Sequence, residues 1–239
     1  MRKILTIANW KMNPQNREKV KEMVSLLERK ISFLKNIDLI IAPPFLYLYL
    51  FLNKKIKTAA QNCFWEEKGS FTGEISPLML KNFNCHYVIL GHWERRNFLK
   101  EDNEMINKKL KIVLKNKMIP VLCVGEKEII KNEKKRNHFL KKEIERITKG
   151  IKKEDLKNVI IAYEPVFAIG KEKACDFLYA KNVLDFLKKN FENKILYGGS
   201  VNQKNISSFL KLGFDGCLIG HFSLKINSFL KTLENLNKT

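Results

Sequence analysis

Paired cysteines, ligand-spaced histidines, long apolar runs and acidic residues are all scarce in this chain of 239 residues. Cys63, Cys85, Cys123, Cys175 and Cys217 lie far apart, with no C-x-x-C pair and no histidine at ligand spacing. That pattern indicates neither a zinc site nor a disulfide framework, and a reducing cytosol is its default setting. Met1 to Ala8 carries two positive charges and a short apolar run that breaks at Asn9, too short for a secretory core or a membrane span. A soluble, cytoplasmic protein with no membrane partner is expected. No G-x-G-x-x-G follows the first strand-like run and no Walker motif occurs anywhere, which removes dinucleotides and nucleoside triphosphates as expected ligands.

Acidic residues number 25 against 45 Lys and Arg, for a net charge of +20 and a pI near 9.7. Such an excess directs attention to nucleic acid or anionic surfaces. However, Lys108, Lys109, Lys111, Lys115, Lys141, Lys142, Lys188 and Lys189 fall on candidate helices, often interleaved with Glu, which is the pattern of solvated helix faces. No aromatic-studded basic stripe or RNA-binding signature accompanies them, which argues against a nucleic-acid partner. Abundant Lys, Asn, Ile and Phe together also fit a coding bias toward A and T. A positive field retains one use, the steering of a phosphorylated substrate.

What the chain does have is alternation. Short β-type runs at Ile4 to Ala8, Asp38 to Ala42, Lys57 to Ala60, Tyr87 to Leu90, Pro120 to Val124, Val159 to Tyr163, Lys194 to Tyr197 and Gly216 to Ile219 are separated by segments of largely helical character. Pro14 opens a helix with Val20, Met23, Val24, Leu27 and Ile31 on one face, and Phe45 to Leu52 reads as an apolar helix. A short helix is expected around Pro77 to Phe83, a long charged helical region up to Gly150, one helix near Asp176 to Asn190 and another at the C-terminus. Eight alternations without a linker or low-complexity break predict one domain over residues 1–239, a single parallel (β/α)₈ barrel.

The polar residues of interest, Asn9, Lys11, Gln61, His92, Glu126, Glu164 and Ser200, and with them Gly220, all follow strands. In such a barrel those positions share the carboxyl-end face, where active sites are built. Gly198-Gly199-Ser200 and Gly220 follow the last two strands, where backbone N–H groups bind phosphate and glycine permits close approach. A small phosphorylated metabolite is the expected ligand. Glu164 precedes Pro165 and an apolar segment, Val166 to Gly170, suited to folding over a pocket and excluding water. His92 begins a helix whose dipole would lower its pKa and keep the ring neutral. A carboxylate base, a neutral imidazole donor and the Lys11 cation make an enolisation site. On the residues alone, a basic scaffold barrel and an isomerase of another sugar phosphate stay open.

The chain resembles the triosephosphate isomerase family over essentially its whole length. NWKMN (Asn9 to Asn13), AQN (Ala60 to Asn62), KGSFTGEISP (Lys68 to Pro77), VILGHWERR (Val88 to Arg96), CVGE (Cys123 to Glu126), AYEPVFAIG (Ala162 to Gly170) and YGGSVN (Tyr197 to Asn202) occur in the family's order and near its spacing. The resemblance implies interconversion of dihydroxyacetone phosphate and D-glyceraldehyde 3-phosphate through an enediolate, with neither cofactor nor metal, in glycolysis, gluconeogenesis and the pentose shunt. It implies Glu164 as the proton-transfer base, His92 as the group that polarises the carbonyl and shuttles protons between oxygens, and Lys11 with Asn9 as holders of substrate and enediolate. Gly170, Ser200, Gly220 and the backbone of His221 match phosphate-binding positions, and closure of Pro165 to Lys173 would keep the enediolate from losing phosphate. A homodimer is implied, with the Phe64 to Glu74 loop reaching into the neighbour and Thr72 near its tip. Four departures from the family pattern stand out: Trp93 for Ser beside His92, Phe167 for Trp in the lid, Lys171-Glu172 for Thr-Gly at its far hinge, and His221 for the second Gly of the phosphate pair.

Overall fold

Ile, Val, Leu and Ala dominate the strand runs because both strand faces are covered, the inner by the barrel interior and the outer by helices. A computed structural model describes residues 3–170 and 174–238. Its strands are β1 (Ile4–Asn9), β2 (Ile37–Ala42), β3 (Lys57–Ala60), β4 (Cys85–Leu90), β5 (Ile119–Val124), β6 (Ile160–Tyr163), β7 (Lys194–Tyr197) and β8 (Gly216–Ile219). Each pairs in parallel with the next, and β8 closes on β1 through Leu5 with Gly216 to Ala8 with Ile219. The fold is the closed (β/α)₈ barrel, the TIM barrel.

Helices α1 (Arg17–Ile31), α2 (Pro77–Asn82), α3 (Trp93–Phe98), α4 (Asn103–Lys115), α5 (Glu133–Ile147), α6 (Lys153–Leu156), α7 (Phe177–Asn190), α8 (Ile206–Lys211) and α9 (Ile226–Leu236) form the outer layer. Most starts are marked by a capping side chain: Asn16 accepts from Glu18 N and Lys19 N, Asp102 from Met105 N, Asn132 from Lys135 N and Asp176 from Tyr179 N. On α1 the buried residues Val20, Met23, Val24 and Leu27 form the inward stripe that the sequence spacing predicts.

The core has two layers. Leu5, Ile7, Ile40, Ala59, Ile89 and Val121 belong to the cluster inside the barrel, while Ile41, Val88, Leu122, Leu110 and Phe229 belong to the larger cluster between strands and helices. Successive strand residues alternate faces. The inward register of β1, Leu5 and Ile7, therefore continues to Asn9, and that of β6, Ile160 and Ala162, to Glu164. By the same count Leu196 leads to Gly198 and Leu218 to Gly220. Register thus delivers the polar ring to one end of the barrel.

Some expectations need correction. Phe45–Phe51 is a 3₁₀ helix, and its buried residues Leu48 and Phe51 stand three apart, the repeat of that helix rather than of an α-helix. The charged region up to Gly150 is helical over α5 alone, and a separate short helix, α6, follows Gly150 (φ 74°) before β6. Helix α8, only six residues long, carries too short a pattern to be read from sequence. Lys109 is not on a solvated face: it is 3% exposed, and its Nζ donates to Asn62 Oδ1 and to Glu101. No helix among the described residues is long and apolar enough to cross a membrane.

Candidate active site

The last inward residue of β1 and the first beyond β6 face one another across the barrel mouth, over a cavity of about 710 Å³. Asn9, Lys11, His92, Glu164, Gly170, Ser200, Gly220 and His221 all line it, whereas Gln61, which donates to Lys11 O and Ala42 O, and Glu126, which accepts from the Tyr163 and Tyr179 hydroxyls, do not. Ile169, Gly198, Val201, Asn202, Phe222 and Lys225 complete much of the wall. Of the expected far hinge, Lys171, Glu172 and Lys173 lie outside the described residues. Lys225 does not belong to the set named from the sequence; its one signal there is a position five residues beyond Gly220 in the same connection. Among the described residues no group of three or more His, Cys, Asp or Glu side chains is placed to hold a metal ion.

Glu164 is 2% exposed. Its Oε2 accepts from Trp93 N at 3.1 Å, while Oε1 lies 3.3 Å from His92 Nε2 and has no hydrogen-bond partner among the described residues. Burial pushes its carboxyl up from 4.5 to about 7, against the opposing pull of the Trp93 N–H, the Cys123 thiol and Lys11. Space for the side chain depends on glycine: a Cβ at Gly198 would sit 3.0 Å from Glu164 Cγ, and one at Gly125 would run into the Glu164 carbonyl.

His92 caps α3, its Nδ1 accepting from Glu94 N at 3.3 Å. With Nδ1 an acceptor, the proton of the neutral ring sits on Nε2, the nitrogen turned to Glu164 and the cavity. Burial lowers its pKa from 6.5 to about 3, with Lys11 and then Arg95 adding in the same direction. Desolvation is thus the largest cause, and His92 does stand at the helix start expected from the sequence. Trp93, the bulky neighbour, contributes its backbone N–H to Glu164 while its ring lies 6.4 Å from the His92 ring and 5.7 Å from that of Phe98.

Lys11 occupies a left-handed conformation at φ 55°. Three contacts hold it: Asn9 Oδ1 accepts from Lys11 N at 3.0 Å, Gln61 Nε2 donates to Lys11 O at 2.8 Å, and Nζ pairs with Glu94 Oε1. Such a conformation costs of order 1–3 kcal/mol and persists where its surroundings over-determine it. On the opposite rim, Ser200 Oγ donates to Ala168 O at 2.7 Å, tying the connection after β7 to the segment after β6. The site thus presents a buried carboxyl with one oxygen left free for substrate, a neutral imidazole N–H, a fixed cation and a glycine-bearing rim.

The sequence model of the family described as triosephosphate isomerase matches residues 4–236. The chain belongs to the triosephosphate isomerase family. A protein named triosephosphate isomerase from Dictyoglomus thermophilum is 40% identical over 250 residues, covering 98% of this chain and 100% of the relative. One of the same name from Mycoplasma capricolum is 40% identical over 251 residues, covering 100% of each, and one from Wigglesworthia glossinidia brevipalpis is 39% identical, covering 99% of this chain and 98% of the relative. Within this triosephosphate isomerase family chain the histidine geometry gives a direct expectation. With its pKa lowered to about 3, His92 stays neutral as pH falls through 6.5. Nitrogen NMR of the free protein, with the His92 signals assigned by comparison with His92→Gln, is expected to show that ring Nε2-protonated and unchanged between about pH 9 and pH 5; a titration of His92 near 6.5 would contradict this.

Proposed function

We propose that this chain interconverts dihydroxyacetone phosphate and D-glyceraldehyde 3-phosphate, and that Glu164, His92, Lys11 and Asn9 carry the reaction. The observation that carries the assignment of roles is the facing of a buried carboxyl and a neutral imidazole, Oε1 to Nε2 at 3.3 Å, at the end of a cavity rimmed by Gly170, Ser200 and Gly220. Ionised Glu164 takes a proton from the hydroxyl-bearing carbon of the ketone, and the electron pair moves through the new carbon–carbon double bond onto the carbonyl oxygen. His92 Nε2–H and the Lys11 ammonium stabilise the charge that develops there. His92 relays a proton between the two oxygens, and protonated Glu164 returns its proton to the adjacent carbon. Nothing is oxidised or reduced overall, so the steps close without a cofactor or metal.

A base pKa near 7 suits this work, since it leaves a large ionised fraction at neutral pH while retaining basicity toward carbon. Phosphate anchoring falls to the backbone around Gly170, Ser200, Gly220 and His221, where no side chain need intervene. The single-domain reading over residues 1–239 accords with the closed barrel. Its expected setting is the cytoplasm, in glycolysis, gluconeogenesis and the pentose shunt.

The same reading includes a homodimer. Met12 is 85% and Leu46 82% exposed, and Tyr49, Phe71, Leu78, Met79 and Phe83 are exposed apolar side chains of the next connections in the chain. The 64–74 loop is stiffened for such a contact: Phe64 packs on Trp65 and Phe71 at 4.2 and 4.6 Å, and Phe64 N donates to Ile75 O. An exposed apolar surface gathered on successive units is the signature of a protein partner, and a second copy is the partner the family implies.

In a coupled assay run in both directions, Glu164→Ala is expected to lower kcat by roughly 10²- to 10⁴-fold with the fold retained. An inactive wild-type protein, or a fully active variant, would contradict the assignment. Sedimentation is expected to give a dimer for the wild type and a smaller species for Thr72→Arg, which places a charge near the tip of the 64–74 loop. Unchanged association in that variant would remove the loop from the interface.

A further inference from the structure

The segment that roofs the cavity is anchored from behind, on the side away from the substrate. Glu126, 1% exposed just beyond β5, accepts at Oε1 from the Tyr163 hydroxyl at 2.9 Å and from the Tyr179 hydroxyl at 2.5 Å. Its backbone oxygen accepts from Val166 N at 3.1 Å, so the same residue holds the root of the roof. Tyr179 arrives from the first turn of α7, where Asp176 Oδ1 accepts from its N–H at 3.0 Å, and its hydroxyl accepts from Ile130 N at 3.3 Å.

The Tyr179 ring has two further neighbours. Phe167, the one aromatic residue of the roof, stands edge-on to it with centroids 5.6 Å apart and an interplanar angle of 84°. The guanidinium of Arg136, a residue only 2% exposed, lies 4.5 Å from the ring centroid. Phe167 has no donor of its own, so its connection to the Glu126 carboxylate runs through the Tyr179 ring and hydroxyl.

We infer that Tyr179 is a positioning residue for the isomerisation, setting the place of the Val166–Ala168 turn through its contact with Phe167 and its hydrogen bond to Glu126. The inference rests on the isomerase reading above and concerns how its cavity is covered. Ala168 O receives the Ser200 hydroxyl, and Ile169 and Gly170 line the cavity, so a shift of Phe167 reaches the substrate cover within three residues. Loss of the hydroxyl leaves Glu126 Oε1 with one tyrosine donor instead of two and frees the ring to turn. A misplacement of about 1 Å in such a support costs up to about 10²-fold in rate.

The test is Tyr179→Phe in the full chain, with Arg136→Met as a second variant. Four quantities are read: kcat, KM, the inorganic phosphate released per isomerisation by β-elimination from an uncovered enediolate, and amide hydrogen exchange at Val166, Ala168 and Gly170 relative to β-strand amides. For Tyr179→Phe the expected results are a fall of about tenfold in kcat/KM, more phosphate per turnover and faster exchange confined to the roof. Arg136→Met is expected to move all three in the same direction by less. Wild-type kinetics, partition and exchange in Tyr179→Phe would overturn the inference, even if melting temperature falls, since a merely structural role predicts that outcome. Should the wild-type protein fail to isomerise triose phosphates, the functional reading falls, and unchanged roof exchange in Tyr179→Phe would still overturn the positioning role separately.

Discussion

A single buried carboxyl group organises the working end of this barrel. Glu164 sits where the inward register of β6 runs out, 2% exposed, with one backbone N–H on Oε2 and no hydrogen-bond partner on Oε1 among the described residues. A buried carboxylate normally finds a cation or several donors, because leaving it unpaired raises the cost of ionisation. Here that cost is kept, and the carboxyl is poised near neutrality. Much of the neighbourhood keeps it dry, spacious and near its target: Gly198 and Gly125 leave room, Trp93 turns a backbone donor toward it and a ring away, and His92 faces it as a neutral group.

Neutrality of His92 and the raised pKa of Glu164 have one shared cause. Both are buried in the same mouth, and burial disfavours the charged form of each. One environment therefore favours a neutral imidazole and a carboxyl titrating near neutrality, the separation that the proposed proton transfer at carbon requires. A carboxylate base facing a neutral histidine is already well known as the pairing of the triosephosphate isomerase family, and the present geometry agrees with it. Behind the roof, the Tyr179 ring meets Phe167 edge-on and lies 4.5 Å from the Arg136 guanidinium, while Glu126 accepts from two tyrosine hydroxyls.

Strand positions are legible in the sequence because a barrel strand is a short apolar run ended by a polar residue or glycine, and the two-residue alternation then puts Asn9, Glu164, Gly198 and Gly220 at the mouth. Chemistry at the site is legible for the same reason: it resides at strand ends. Lys109 and Arg136 are not legible, since charge along a sequence cannot distinguish a solvated lysine from one held by Glu101 and Asn62, or a surface arginine from one beneath Tyr179. The cause of the low His92 pKa is also hidden, because helix position can be read from sequence and burial between Lys11 and Glu164 cannot. Phe45–Phe51 shows the remaining gap, a helix read correctly as apolar whose 3₁₀ repeat emerges only from packing.

The most direct test of this account is a titration of the Glu164 carboxyl in the free protein, by carbon NMR with Glu164→Gln to assign the signal. Burial with Oε1 left without a donor among the described residues predicts a midpoint of about 7, well above the ordinary 4.5. A midpoint at or below 4.5 would show the carboxylate to be solvated or paired, and would contradict the claim that its burial sets the chemistry of the site.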